Sequence, residues 1–242
     1  MNIDPDIARL AALVTEPARA AMMTHLLDGR SWTATELARV AGIRAPAASM
    51  HLKKLVAGEL IKVSPNGRHR YFRLAGERVA RLIEQLQGFA PLPVAATPGQ
   101  RRASAALSAC RLCYDHLAGR LGVEITRVMI QRGWLIEDEP WFRLTDLGSE
   151  GLAELGVEAA PGRTCMDWSE RRFHLAGPLG VRLAQVLIDR KILLRDSRTR
   201  ALRVAPLGEE SLETLFGISA GAGRAQIAEQ PQPIDSMLLR AT

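Results

Sequence analysis

The amino-acid sequence predicts a mainly α chain with small β-hairpins, an α+β fold. Three observations carry this reading. Apolar residues recur at helical spacing through most of the chain, and short β-prone runs lie on either side of turn residues. A segment His-Leu-Ala-Gly-x-Leu-Gly-Val occurs twice, beginning at His116 and at His174. Taken in order, the elements predict an N-terminal winged helix-turn-helix followed by a C-terminal unit of two winged-helix-like halves.

Residues 3–14 carry Ile7, Leu10, Ala11 and Val14 on one helical face, and Glu16-Pro17 opens a second helix to about Leu27, with proline suited to its first turn. Asp28-Gly29-Arg30 stops it. Thr33 or Thr35 caps a short helix through Val40, and Ala41-Gly42-Ile43 turns into a fourth helix containing Leu52, Leu55 and Val56. Leu60–Val63 and Arg70–Leu74 flank Pro65-Asn66-Gly67 as a hairpin. A fifth helix, Gly76 to Phe89, aligns Val79, Leu82, Ile83, Leu86 and Phe89 in one apolar stripe.

Pro91, Pro93, Pro98 and Gly99 punctuate the next stretch. We therefore read residues 1–90 as one domain, 91–103 as a linker and 104–218 as a duplicated unit, with 219–242, biased to Gly, Ala, Gln and Pro, as a flexible tail. Each copy reads as helix, hairpin, helix. One half alone buries too little apolar surface, which predicts packing about a pseudo-twofold axis.

No apolar run approaches the roughly 18 residues that span a bilayer, and the first residues are acidic where a secretory signal is basic. The expected location is the cytoplasm, with the cysteines Cys110, Cys113 and Cys165 reduced. The net charge of +6 is uneven: residues 1–92 hold 13 Lys+Arg against 8 Asp+Glu, the remainder 19 against 18. Between 44 and 73 lie seven basic residues and one acid, Glu59, an excess suited to phosphates or to an ordinary solvated face.

The motifs in that stretch decide between the two. Glu16-Pro17-Ala18-Arg19, Thr35-Glu36-Leu37-Ala38, Ser49-Met50-His51-Leu52-Lys53-Lys54-Leu55 and Gly67-Arg68-His69-Arg70-Tyr71-Phe72-Arg73-Leu74 together resemble the ArsR family of winged-helix regulators. The resemblance implies binding to double-stranded DNA with the fourth helix in the major groove, which is about 12 Å wide. Arg44, Ser49, Met50 and His51 then face bases or backbone, and Lys53, Lys54, Arg68 and Arg70 meet phosphates. Arg44 stands where a small capping residue is common in the family. The resemblance further implies a homodimer built on the first and fifth helices, here Ile7, Leu10, Val79, Leu82, Ile83 and Leu86, and hence an inverted-repeat operator with half-sites about 34 Å apart. It also implies repression of a nearby gene.

Metal-sensing members of the family use thiolates on the third helix or His and Asp on the fifth. Neither set is present: the third helix lacks cysteine and the fifth lacks histidine. The candidate effector residues lie after the linker instead. Cys110, Cys113 and His116, three apart, share one side if helical, and the second copy supplies Cys165, Asp167 and His174. Were the copies to converge, thiolates and imidazoles would suit a soft or borderline metal or metalloid ion, such as zinc, mercury, copper(I) or trivalent arsenic.

Other readings of the same residues stand beside this one. Cysteine is often a small buried hydrophobe. The thiols could instead sense oxidants, or an organic effector could use Tyr114, Trp134, Trp141, Trp168, Arg163, Arg171 and Arg172. A Cys/His enzyme and an architectural DNA binder are the rival classes. The chain has no nucleophile elbow, glycine-rich phosphate loop or His-Glu-x-x-His helix, so no catalysis is expected.

Overall fold

The computed structural model describes residues 4–91 and 97–218; the expected tail and residues 92–96 of the expected linker lie outside them. The first domain opens with α1 (Ile7–Val14), capped by Asp6, and α2 (Pro17–His25), where the Glu16 carboxylate accepts from the Arg19 amide at 3.0 Å. A 3-10 turn at Leu26–Asp28 ends on Gly29 and leads to β1 (Trp32–Thr33). Next, α3 (Ala34–Val40) begins with a full capping box between Thr33 and Glu36. A turn at Gly42, in the left-handed region at φ 66°, then feeds α4 (Ala45–Ala57).

The wing is β2 (Ile61–Asn66) against β3 (His69–Leu74), in register from Ile61↔Leu74 to Asn66↔His69, and β1 adds to the other edge of β3. The closing helix α5 (Glu77–Phe89) packs Ala80 and Ile83 into a core with Met22, Leu26, Leu37, Leu52 and Phe72. This is the winged helix-turn-helix that the sequence predicts, with its fourth helix held by Ala48, Leu52 and Leu55.

Pro98 and Gly99, expected in the linker, instead start α6 (Pro98–Ala109), so residues 98–103 are helical. The physical reason is a second capping box: Thr97 Oγ1 accepts from the Gln100 amide at 3.2 Å, Gln100 Oε1 accepts from the Thr97 amide at 3.0 Å, and proline occupies the first turn.

The first copy then runs β4 (Arg111–Cys113), β5 (His116–Ala118), α7 (Gly119–Gln131), β6 (Leu135–Asp138), β7 (Trp141–Leu144) and α8 (Asp146–Glu154). The second runs β8 (Gly162–Met166), β9 (Phe173–Ala176), α9 (Gly177–Asp189), β10 (Leu193–Arg195), β11 (Leu202–Val204) and α10 (Pro206–Phe216). Each copy is therefore hairpin, helix, hairpin, helix, and the leading hairpins are additions to the sequence reading.

Those leading hairpins are exchanged between the copies. The β8–β9 hairpin continues the first copy's β6–β7 into a four-stranded sheet, with Phe142↔Gly162 in register. Conversely, β4 bridges to the second copy's β11 side at Arg111↔Ala201, with Leu202 N donating to Cys110 O at 2.9 Å. The helices α7 and α9 fill the middle with Leu121, Ile125, Met129, Leu179, Leu183 and Leu187. Glycine is required where the repeats start these helices: a Cβ on Gly122 or Gly180 would lie 2.7 and 2.5 Å from the carbonyl oxygens of Leu117 and Leu175. Among the described residues no helix is long and apolar enough to cross a membrane.

Candidate functional site

On α4 the buried positions face the domain core and leave Arg44, Ser49, Met50, Lys53 and Lys54 exposed on the other side, Met50 at 63%. Arg44 occupies the N-cap without a side-chain capping bond, and the Ser49 hydroxyl donates to Ala45 O at 3.0 Å. Arg68 and Arg70 are exposed at the wing, where Arg68 Nε donates to His69 Nε2 at 3.3 Å.

His51 differs from the rest of that set because it is half-buried. Its Nδ1 lies 3.2 Å from both Arg19 Nη1 and Glu16 Oε2, and Arg19 in turn donates to Leu13 O and Ala12 O. One ring nitrogen thus fastens α4 to the start of α2. The expected dimer set also divides: Ile83 belongs to the domain's own core and Val79 packs against it, whereas Ile7, Leu10 and Leu86 remain exposed, as does Phe89 at the end of α5, at 91%.

In the second unit the exchanged hairpins bring Cys113, His116, Cys165 and His174 together, their ligand atoms all within 4.8 Å of one another. Each hairpin gives one directly opposed pair, Cys113↔His116 and Cys165↔His174. The expectation that Cys110, Cys113 and His116 share a helix face is corrected. The helix ends at Cys110, which is extended at φ −159°, and Tyr114-Asp115 forms a two-residue turn with Tyr114 at φ 61°. Cys110 consequently lies fully buried in the apolar core, where burial pushes its thiol up to about 12, and it is not part of the cluster.

The two histidines approach through their Nε2 atoms at 3.1 Å, with the rings stacked at 24°. Two nitrogen ligands of a tetrahedral ion, each at about 2.0–2.1 Å, stand about 3.3 Å apart. The far side of each ring faces a carboxylate. His116 Nδ1 donates to Asp115 Oδ1 at 3.2 Å, and His174 Nδ1 lies 3.7 Å from Asp167 Oδ2. A carboxylate that accepts this ring N–H orients an imidazole ligand toward a metal and raises its basicity, as Asp115 does for His116, whereas His174 Nδ1 has no hydrogen-bond partner among the described residues.

Asp167 therefore stands behind the cluster rather than in it. Burial opposes its charge, but the Arg111 guanidinium, with hydrogen bonds from Ser169 and Gly119, holds its carboxyl well below the usual carboxylate range. Burial lowers His174 far below the ordinary histidine value, reinforced by neighbouring His116. For His116, burial is outweighed by hydrogen bonds to Asp115 and Cys113 and by nearby negative groups, which raise it to about 10. A hydrogen bond with Cys165, followed by burial, pushes the Cys113 thiol well up.

Sequence reasoning missed Glu84 of α5, which is buried and whose Oε2 accepts from Cys165 Sγ at 3.9 Å. Nothing in the sequence marks it, since a Glu beside an apolar stripe is ordinarily solvated. Asp115 was legible: Cys113-Tyr-Asp115 and Cys165-Met-Asp167 precede equivalent His-Leu-Ala-Gly segments, and Asp115 does lie against His116. The aromatic and basic set considered for an organic effector is divided among separate environments. Tyr114 packs on the first core, Trp134 on the second, Trp168 lies under Arg111, and Arg163 and Arg171 bind Glu77 and Gly88 O.

A basic-faced helix in a winged helix-turn-helix defines a DNA-binding protein, and comparison with known proteins agrees. A family described as a helix-turn-helix domain matches residues 14–64. The uncharacterized HTH-type transcriptional regulator YdfF of Bacillus subtilis (strain 168) is 36% identical over 219 residues, 87% of this chain and 97% of that protein. The chain belongs to the HTH-type transcriptional regulators.

Two solved structures are similar to parts of it. One is the homodimeric winged helix-turn-helix DNA-binding domain of Mb0332 from Mycobacterium bovis, a possible ArsR-family regulator: 27% identity, TM-score 0.31, covering 36% of this chain and 87% of that one. The other is the cadmium metal-sensor CMTR from Mycobacterium tuberculosis: 27% identity, TM-score 0.31, covering 38% and 95%.

Proposed function

We propose that this chain is a homodimeric, metal-responsive transcription regulator of the cytoplasm, acting as a repressor at an inverted-repeat operator. The observation that carries the effector is the convergence of two thiols and two imidazoles from the exchanged hairpins, with the His116 imidazole hydrogen-bonded to a carboxylate behind it. Two sulfur and two nitrogen donors favour a soft or borderline divalent ion of the zinc class. Arg44, Ser49, Met50 and His51 meet the major groove, and Lys53, Lys54, Arg68 and Arg70 meet phosphates. The dimer forms through Ile7, Leu10, Leu86 and Phe89, apolar groups left uncovered on α1 and α5.

One contact favours a second reading. The Cys113 and Cys165 sulfurs lie within 4.8 Å of each other, so a two-electron oxidant that joins them would destroy the same donor set.

The test begins by selecting duplexes from a random pool with purified protein. The enriched sequence is then titrated with zinc-loaded, chelator-stripped and oxidised protein. An enriched inverted repeat, with at least about a five-fold affinity difference between loaded and stripped forms, is expected. Equal affinity of those two forms overturns metal sensing, a response to oxidant alone selects the second reading, and failure to enrich any duplex overturns the regulator itself.

A further inference from the structure

Glu84 of the winged-helix domain faces the Cys/His cluster, and its setting is unusual for a carboxylate. It is buried, with only 7% exposure, on α5, the helix that carries the exposed Leu86 and Phe89. Its Oε2 receives the long contact from Cys165 Sγ at 3.9 Å, and Oε1 is buried without a hydrogen-bond partner among the described residues. A buried carboxylate oxygen left in this state is costly unless a cation is there to meet it. A buried cation of the second unit, Arg200, is directed elsewhere, to Leu112 O at 3.4 Å and Gln87 Oε1 at 3.2 Å.

Resting on the metal-centre reading above, we propose that Glu84 is a further ligand, supplied by the winged-helix domain to a divalent cation held by Cys113, His116, Cys165 and His174. The ion then bonds both units at once and clips α5 to the hairpins.

The chemistry closes without further groups. On loading, the two thiols release their protons to solvent and become thiolates, so the Cys165 hydrogen that Glu84 accepts is gone. A carboxylate beside a new thiolate is repelled unless it takes the metal as its partner. Two thiolates neutralise the divalent charge, and the Glu84 carboxylate, which makes no ion pair with Arg200 before loading, takes the metal as its cation. Because Glu84 belongs to α5, its capture fixes the position of the helix whose outer side carries the apolar dimer residues. Metal occupancy at the second unit is thereby transmitted to the spacing of two winged helices.

The experiment uses the full chain and cobalt(II) as a spectroscopic stand-in, with Glu84→Gln, which keeps size and removes charge, and Glu84→Asp, which keeps charge and shortens reach. Both variants are first checked for an unchanged metal-free melting curve and circular dichroism spectrum. Sulfur-to-cobalt charge-transfer bands are expected in all three proteins. The ligand-field bands should intensify in the variants as coordination falls from five to four, zinc affinity should drop about 10- to 100-fold, and the zinc-dependent change in DNA affinity should vanish. If wild type shows the charge-transfer bands and the variants match it in ligand field and zinc affinity, Glu84 is not a ligand while the metal centre stands. If wild type binds neither cobalt nor zinc, the centre and this inference fall together. Should one variant fail the folding check, the other carries the comparison.

Discussion

Asp167 and Arg111 form an ion pair at 2.9 Å with both side chains wholly buried, and it joins one copy of the duplicated unit to the other. Asp167 follows β8 of the second copy, whereas Arg111 begins β4 of the first and stacks on Trp168 at 4.2 Å. The same carboxylate accepts from the amide of Gly119, at 2.7 Å, and from Ser169 and Glu170. Removing one partner of such a pair strands the other without solvent. Asp167→Ala is therefore expected to lower unfolding free energy by about 3–5 kcal/mol, read from urea denaturation, and Asp167→Asn by less because an acceptor for Gly119 remains.

Asp115 gives a way to perturb the centre without touching a ligand. It lies on the two-residue turn, its side chain is 39% exposed, and it accepts from His116 Nδ1. Asp115→Asn should leave the melting temperature nearly unchanged yet weaken zinc binding about 10-fold or more, measured by competition with a chromogenic chelator. An unchanged affinity would show that His116 needs no orienting partner.

The difference between what the sequence disclosed and what it concealed follows from the range of the interactions. Helix starts were legible where local chemistry sets them, as at Pro17 and Thr33, and the wing was legible from its alternation around Asn66-Gly67. The duplication was legible because His116-Leu-Ala-Gly and His174-Leu-Ala-Gly repeat a close-packing requirement at Gly122 and Gly180. The hairpins β4–β5 and β8–β9 were not, since their strands are short and are held in part by partners far away, such as Ala201 and Phe142. Four of the six candidate effector residues converge, while Cys110 and Asp167 differ because a helix end and a buried arginine claim them. Glu84 depends wholly on how two domains meet, which no local pattern encodes.

The charges on the winged helix lead to an expectation about salt. Lys53, Lys54, Arg68 and Arg70 are exposed, and groups of this kind that neutralise phosphates release counterions without reading sequence. Replacing any one with glutamine should weaken binding to selected and random duplexes alike. The slope of log affinity against log salt should shrink by about 0.9 for each phosphate no longer neutralised. Fluorescence anisotropy between low and moderate salt measures it, and a variant that weakens only the selected duplex would belong to base recognition.

His25 sets a pH dependence for the winged helix that is separate from the metal centre. Its ring meets Trp32 edge-on at 4.3 Å, and Nε2 is buried without a hydrogen-bond partner among the described residues. Burial lowers its pKa below the ordinary 6.5, with the negative charge of Asp28 offsetting part of the effect. Between the lowered folded value and 6.5 the unfolded chain binds the proton more readily, so stability present above pH 6.5 is lost as pH falls through that window. His116 contributes in the opposite sense, because its raised value favours the folded state below the ordinary histidine pKa. The comparison must therefore be made by difference. His25→Phe keeps an aromatic ring against Trp32 and removes one titrating group, so its melting temperature should decline less than that of wild type between about pH 7.5 and 5.5. Parallel declines would mean that the buried nitrogen is solvated in the folded protein.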